Sequence, residues 1–106
     1  MNDKIAELSA TLANPLGLHA RPSVKLTRLA KTFASEIEMR PVGEETWIDA
    51  KSIVKVMAVK ATKGVILQFR AKGSDADEAL AALKALVLRG FAEDPGLSEQ
   101  TEPLNG

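Results

Sequence analysis

Ala6, Leu8, Ala10 and Leu12 alternate with Glu7, Ser9 and Thr11, the two-residue period of a strand with one buried face. The same period returns over 35–40, with Ile37 and Met39 on one side, and over 65–72, with Val65, Leu67, Phe69 and Ala71 directed inward. Between these stretches the spacing becomes helical. Leu26, Leu29, Ala30 and Phe33 stripe a helix over about 20–32, and Ser52 can cap a short one carrying Ile53, Val54, Val56 and Met57. Ser74-Asp75-Ala76-Asp77 reads as a capping box, with Asp in the place of the usual Glu or Gln. The helix it opens carries Ala79, Leu80, Leu83, Leu86 and Val87 on one side, and Gly90 suits its end. Pro41-Val42-Gly43-Glu44-Glu45 reads as a hairpin loop leading to a short return strand over 46–49, in which Trp47 is packed rather than reactive. One-faced strands and one-faced helices in the order βαββαβα predict a two-layer α+β domain, an antiparallel sheet with helices over one face.

At 106 residues the chain can bury one core and cannot divide it. The folded domain is expected over 1–92. Residues 93–106 hold Glu93, Asp94, Glu99 and Glu102, no base, two prolines and two glycines, and are expected to be a disordered acidic tail. The 14 bases and 14 acids of the whole chain balance, but without that tail the 14 bases face ten acids, a charge of +4. The neutral whole chain argues against general nucleic-acid binding, whereas the +4 body favours an acidic or phosphorylated partner, with ordinary surface charge as the alternative. The absence of cysteine excludes disulfides, thiolate zinc sites and cysteine nucleophiles, and fits a reducing compartment, with the cytoplasm expected. No apolar run approaches the roughly 20 residues of a membrane span, and the start has no signal pattern.

The chemistry gathers at the one histidine. Gly17-Leu18-His19-Ala20-Arg21-Pro22 sets an imidazole between a glycine turn and a helix start, where proline is tolerated because the missing N–H has no intrahelical partner anyway. The first-turn N–H groups of Ala20 and Arg21, the positive end of the helix dipole and the Arg21 guanidinium together suit a phosphate. Imidazole is a nucleophile near neutral pH, so this arrangement can hold a phosphoryl group covalently on a ring nitrogen. No second nucleophile with an oriented base, no set of metal ligands and no nucleotide-binding loop accompanies it. A stand-alone enzyme, a metal and a cofactor are therefore not expected.

Together with Ala50-Lys51-Ser52-Ile53 some thirty residues later, the histidine motif resembles HPr, the histidine-containing phosphocarrier of the bacterial phosphoenolpyruvate-dependent phosphotransferase system. The resemblance covers about residues 5–91 and implies an open-faced β-sandwich with a four-stranded antiparallel sheet covered on one face by three helices. It implies that His19 takes a phosphoryl group on Nδ1 from the phosphohistidine of enzyme I and passes it to a histidine of an EIIA-type protein, with Arg21 steadying the group. Ser52 matches the serine phosphorylated in the family by HPr kinase/phosphorylase, and its reading as a helix cap is compatible with that role. A phosphate there would weaken docking to enzyme I. Ile53, Val54 and Met57 form the expected docking patch, joined by Val24, Lys25 and Arg28 on the first helix; core packing is the alternative for the apolar members and a solvated face for the basic ones. The stretch between Gly43 and Ser52 is about two residues longer than in sugar-transport members, and Lys60 stands where a glycine is frequent. The pathway branch, sugar uptake or nitrogen-related regulation, stays open. A monomer is expected. The alternative to a carrier is a non-covalent binding domain in which the helix start holds an anion and His19 is only a cap.

Overall fold

The computed structural model describes residues 5–92; the expectation for 93–106 lies outside the described residues. The elements run β1 (Ile5–Thr11), α1 (Ala20–Lys31), β2 (Glu36–Pro41), β3 (Ile48–Asp49), α2 (Ile53–Val59), β4 (Ile66–Lys72) and α3 (Ala76–Leu88). They build a four-stranded antiparallel sheet in the order β1-β4-β2-β3, the open-faced α+β architecture the pattern predicts.

The last strand in sequence is central in space. Phe69 of β4 stands between Leu8 of β1 and Met39 of β2, and Ala71 stands between Ala6 and Ile37. These residues share one face because strand side chains alternate. Leu67, Phe69, Ile37 and Met39 are fully buried beneath the helices, with Leu26 and Ala30 of α1 and Leu80, Leu83 and Val87 of α3 closing the core. Replacing a residue as large as Phe69 by alanine costs about 3–5 kcal/mol in such a setting.

Four local expectations change. The return strand shrinks from 46–49 to Ile48–Asp49. In place of ladder bonds, the Arg40 guanidinium donates to the Glu45 carbonyl, and Arg40 and Arg70 each lie 4.2 Å from the Trp47 ring centre on the uncovered side of the sheet. The final strand begins at Ile66 instead of Val65, though the Val65 carbonyl still accepts from Leu12 N–H. The buried side of α1 is turned toward Pro22, Ser23 and Thr27, leaving Leu29 and Phe33 only partly covered. The capping box at α3 does not form. Asp75 takes the N-cap position without capping, because its carboxylate accepts instead from Ala34 N–H, Ser35 N–H and the Ser35 hydroxyl.

Candidate functional site

His19 is placed by the loop that precedes it. Asn14 holds that loop closed, its side-chain amide donating to the Gly17 carbonyl while its own carbonyl accepts from Gly17 N–H at 3.1 Å. Gly17 has φ +74, and a Cβ there would come within 2.9 Å of Thr62 Cα, so both backbone angle and space call for glycine. Leu18 is buried and its N–H donates to the Ala61 carbonyl at 2.8 Å, which fixes the loop to the segment after α2. His19 comes next as the N-cap of α1 in extended conformation (φ −103, ψ −161), and its carbonyl accepts the first helical bond from Ser23 N–H at 3.0 Å.

The side chain does not cap. The His19 ring makes no hydrogen bond to its own helix and is exposed. It borders two shallow depressions. One, about 450 Å³, is lined by Asn14, Pro15, Leu16, His19, Arg21, Pro22, Lys25, Gly90 and Phe91. The other, about 340 Å³, is lined by Leu16, Leu18, His19, Ala20, Met57, Lys60, Ala61 and Thr62. No carboxylate lines either one among the described residues, whereas Arg21, Lys25 and Lys60 do. An anion beside His19 therefore meets cationic side chains and the first-turn N–H groups of Ala20 and Arg21, which no preceding turn can satisfy.

The other expected residues divide into two groups. Arg21, Val24, Lys25 and Arg28 share one surface of α1 with Ala20. Arg21 and Arg28 are exposed there, while Lys25 is half-buried and its ammonium donates to the Phe91 carbonyl at 2.8 Å, tying α1 to the chain after α3. On α2 only Val56 is buried; Val54 is 75% exposed, Met57 is 41% exposed and Ile53 is half-buried. Met57 reaches the rim of the second depression, so the apolar end of α2 adjoins the imidazole. Ser52 caps α2 as expected, its Oγ accepting from Lys55 N–H at 3.3 Å. It remains only half-buried.

Two neighbours of His19 were not anticipated. Leu16 is 77% exposed and lines both depressions. The signal was legible, since an apolar residue at the tip of a four-residue turn has no core to enter. Phe91 is buried against the same site from more than seventy residues away in sequence, and no local pattern announces that. Lys60 ends α2 in the left-handed region (φ 54, ψ 36), the conformation glycine adopts most easily.

Comparison with known proteins agrees with this arrangement. The family described as PTS HPr component phosphorylation site matches residues 6–88. Phosphocarrier protein HPr of Cupriavidus necator is 45% identical over 83 residues, 78% of this chain and 91% of that protein. Phosphocarrier protein NPr of Escherichia coli K12 is 39% identical over 83 residues, again 78% of this chain and 91% of its own length. The crystal structure of HPr-C-His from Thermoanaerobacter tengcongensis superposes with a TM-score of 0.76 at 31% identity, covering 84% of this chain and 98% of that one. The class is thus that of small phosphoryl carriers, which pass a group on without turning over a substrate of their own. The chain belongs to the HPr/NPr phosphocarrier family of the phosphotransferase system.

Proposed function

We propose that His19 accepts a phosphoryl group on Nδ1 from the phosphohistidine of enzyme I and donates it to a histidine of an EIIA-type protein, in the cytoplasm. The observation that carries this reading is the His19 ring itself, exposed at a helix start, free of any cap bond and bordered by cations, with no carboxylate among the described residues that line its two depressions. A histidine serving only as a cap would spend its side chain on the helix.

In the transfer, the Nδ1 lone pair attacks phosphorus as the P–N bond to the donor histidine breaks, and the bonding pair returns to the donor ring. Nε2 keeps its proton on both sides of the step, so no external base is called for. Arg21 and the N–H groups of Ala20 and Arg21 hold the phosphoryl oxygens in transit, a stabilisation that serves the forward and the reverse transfer alike.

Docking falls to Ile53, Val54 and Met57 together with Val24, Lys25 and Arg28. Lys25 contributes from a side chain already anchored at Phe91. Phosphorylation of Ser52 by HPr kinase/phosphorylase would set a charge of about −1.5 to −2 beside the apolar patch and replace the hydroxyl that caps α2. The expected result is weaker docking of enzyme I. A heteronuclear NMR experiment tests the transfer: after incubation of ¹⁵N-labelled protein with phosphoenolpyruvate, magnesium and enzyme I, the His19 Nδ1 resonance should split through coupling to phosphorus. Splitting at Nε2, or a phosphoryl group on another residue, would contradict the proposal.

A further inference from the structure

The cations beside His19 come from two elements. Arg21 and Lys25 reach the first depression from α1, and Lys60 reaches the second from the end of α2, while His19 and Leu16 border both. Lys25 is committed to the Phe91 carbonyl. Lys60, by contrast, is exposed, and its ammonium has no partner among the described residues.

The backbone under that ammonium is strained. Its φ of 54 and ψ of 36 lie in the left-handed region, where a Cβ costs free energy that glycine would avoid. The dipole of the seven-residue α2 favours a cation at its end, but a position inside the last turn would supply one without that cost. Strained residues of this kind cluster at ligand clamps and reactive sites, where the surroundings give them a use. The use on offer here is anionic, since Lys60 shares its depression with His19, Ala20 and Met57 and with no carboxylate among the described residues.

We propose that the Lys60 ammonium pairs with an oxygen of the phosphoryl group carried on His19, adding from α2 a contact to those that Arg21 and the first-turn N–H groups make from α1. The inference rests on the carrier reading of His19 and extends it by one residue. Lys60 takes up and releases no proton in the transfer; its charge stays on the ammonium. A contact made only with the bound phosphoryl group stabilises the phosphorylated form against the free imidazole, so it shifts the equilibrium with phosphoenolpyruvate. A contact with a partner protein changes rates alone, because the partner leaves the cycle as it entered.

Three variants of the full chain separate charge from backbone. Lys60→Gln removes the charge and keeps the strain, Lys60→Gly removes both, and Lys60→Arg keeps both. With phosphoenolpyruvate, pyruvate, magnesium and enzyme I brought to equilibrium, mass analysis without acid gives the ratio of phosphorylated to free protein. That ratio should fall about three- to fivefold in Lys60→Gln and Lys60→Gly, the effect of an exposed ion pair, and return to the wild-type value in Lys60→Arg. The differences should shrink at 1 M salt, where the Debye length is about 3 Å. Inorganic phosphate, titrated into ¹⁵N-labelled protein and followed at the amides of Ala20 and Arg21, should bind more weakly to Lys60→Gln and Lys60→Gly by a similar factor. That titration involves no transfer, so it decides the contact separately from the carrier reading. Equal phosphate affinity in all four proteins would overturn the proposal. So would an unchanged phosphorylation ratio with slowed transfer, which would assign Lys60 to partner docking, or a loss in Lys60→Gly that Lys60→Gln does not share, which would trace the effect to the backbone.

Discussion

His19 and Asp75 occupy the same position in the local grammar of the chain, the N-cap of a helix, and neither side chain caps its own helix. What lies opposite decides their uses. Asp75 faces the turn after α1, and its carboxylate fastens Ala34 and Ser35 through two N–H groups and a hydroxyl, forty residues away in sequence. His19 faces two open depressions and makes no bond to its helix. One helix start is a structural fastener and the other presents its side chain to the surface. A side chain with no local bond at such a position is therefore informative only after its surroundings are known.

The sharpest way to break this contrast is to remove both side chains in separate proteins. His19→Ala should abolish phosphoryl acceptance while shifting stability by no more than about 0.5 kcal/mol, the usual limit for an exposed residue without partners; denaturant unfolding and a transfer assay check the two halves. A large loss of stability would mean that the imidazole has a fastening role after all. Met57→Asp tests whether the neighbouring patch belongs to the reactive end. It should slow transfer from enzyme I by about tenfold or more, as expected for a charge set into an apolar hot spot, with the domain still folded. Unchanged transfer kinetics would remove α2 from the docking surface.

Asp75→Asn should do the reverse of His19→Ala, lowering the melting temperature and sparing transfer. The hydrogen bond from the Ser35 hydroxyl, together with the weaker influence of that from Ala34 N–H, holds the Asp75 carboxyl below its ordinary value of 3.8. The folded state thus favours the charged form, so the contribution is complete above the unfolded value and is lost as pH falls through the lower folded value. The melting temperatures of wild type and Asp75→Asn should therefore differ near neutral pH and converge below about pH 4. A gap independent of pH would contradict this fastener role. The smallest effect is expected at Lys60. Glycine there relieves a left-handed residue and should raise stability by about 1 kcal/mol, with transfer reporting whether the Lys60 charge near His19 matters.

The same contrast marks how far the sequence was readable. Strands and helices were legible because Leu8, Ile37, Leu67 and Leu80 repeat at periods that one buried face imposes. The His19 site was legible because its parts lie within six consecutive residues. The Asp75 fastener was not, since its partners lie on a turn with no matching signal, and a capping box was the natural reading of Ser74 to Asp77. Trp47 was assigned to packing, but its contact with both Arg40 and Arg70 depends on the register that brings β2 and β4 together. The burial of Ser23 and Thr27 depends likewise on how α1 is turned against the core. Leu16 alone among the unanticipated site residues had a local signal.

The most direct test of His19 as carrier is intact-mass analysis after incubation with phosphoenolpyruvate, magnesium and enzyme I, run in parallel on wild type, His19→Ala and Ser52→Ala, each followed by brief acid treatment. The expected result is one added phosphoryl group on wild type and on Ser52→Ala, removed by acid, and none on His19→Ala. An added group that survives acid, or one that persists in His19→Ala, would contradict it.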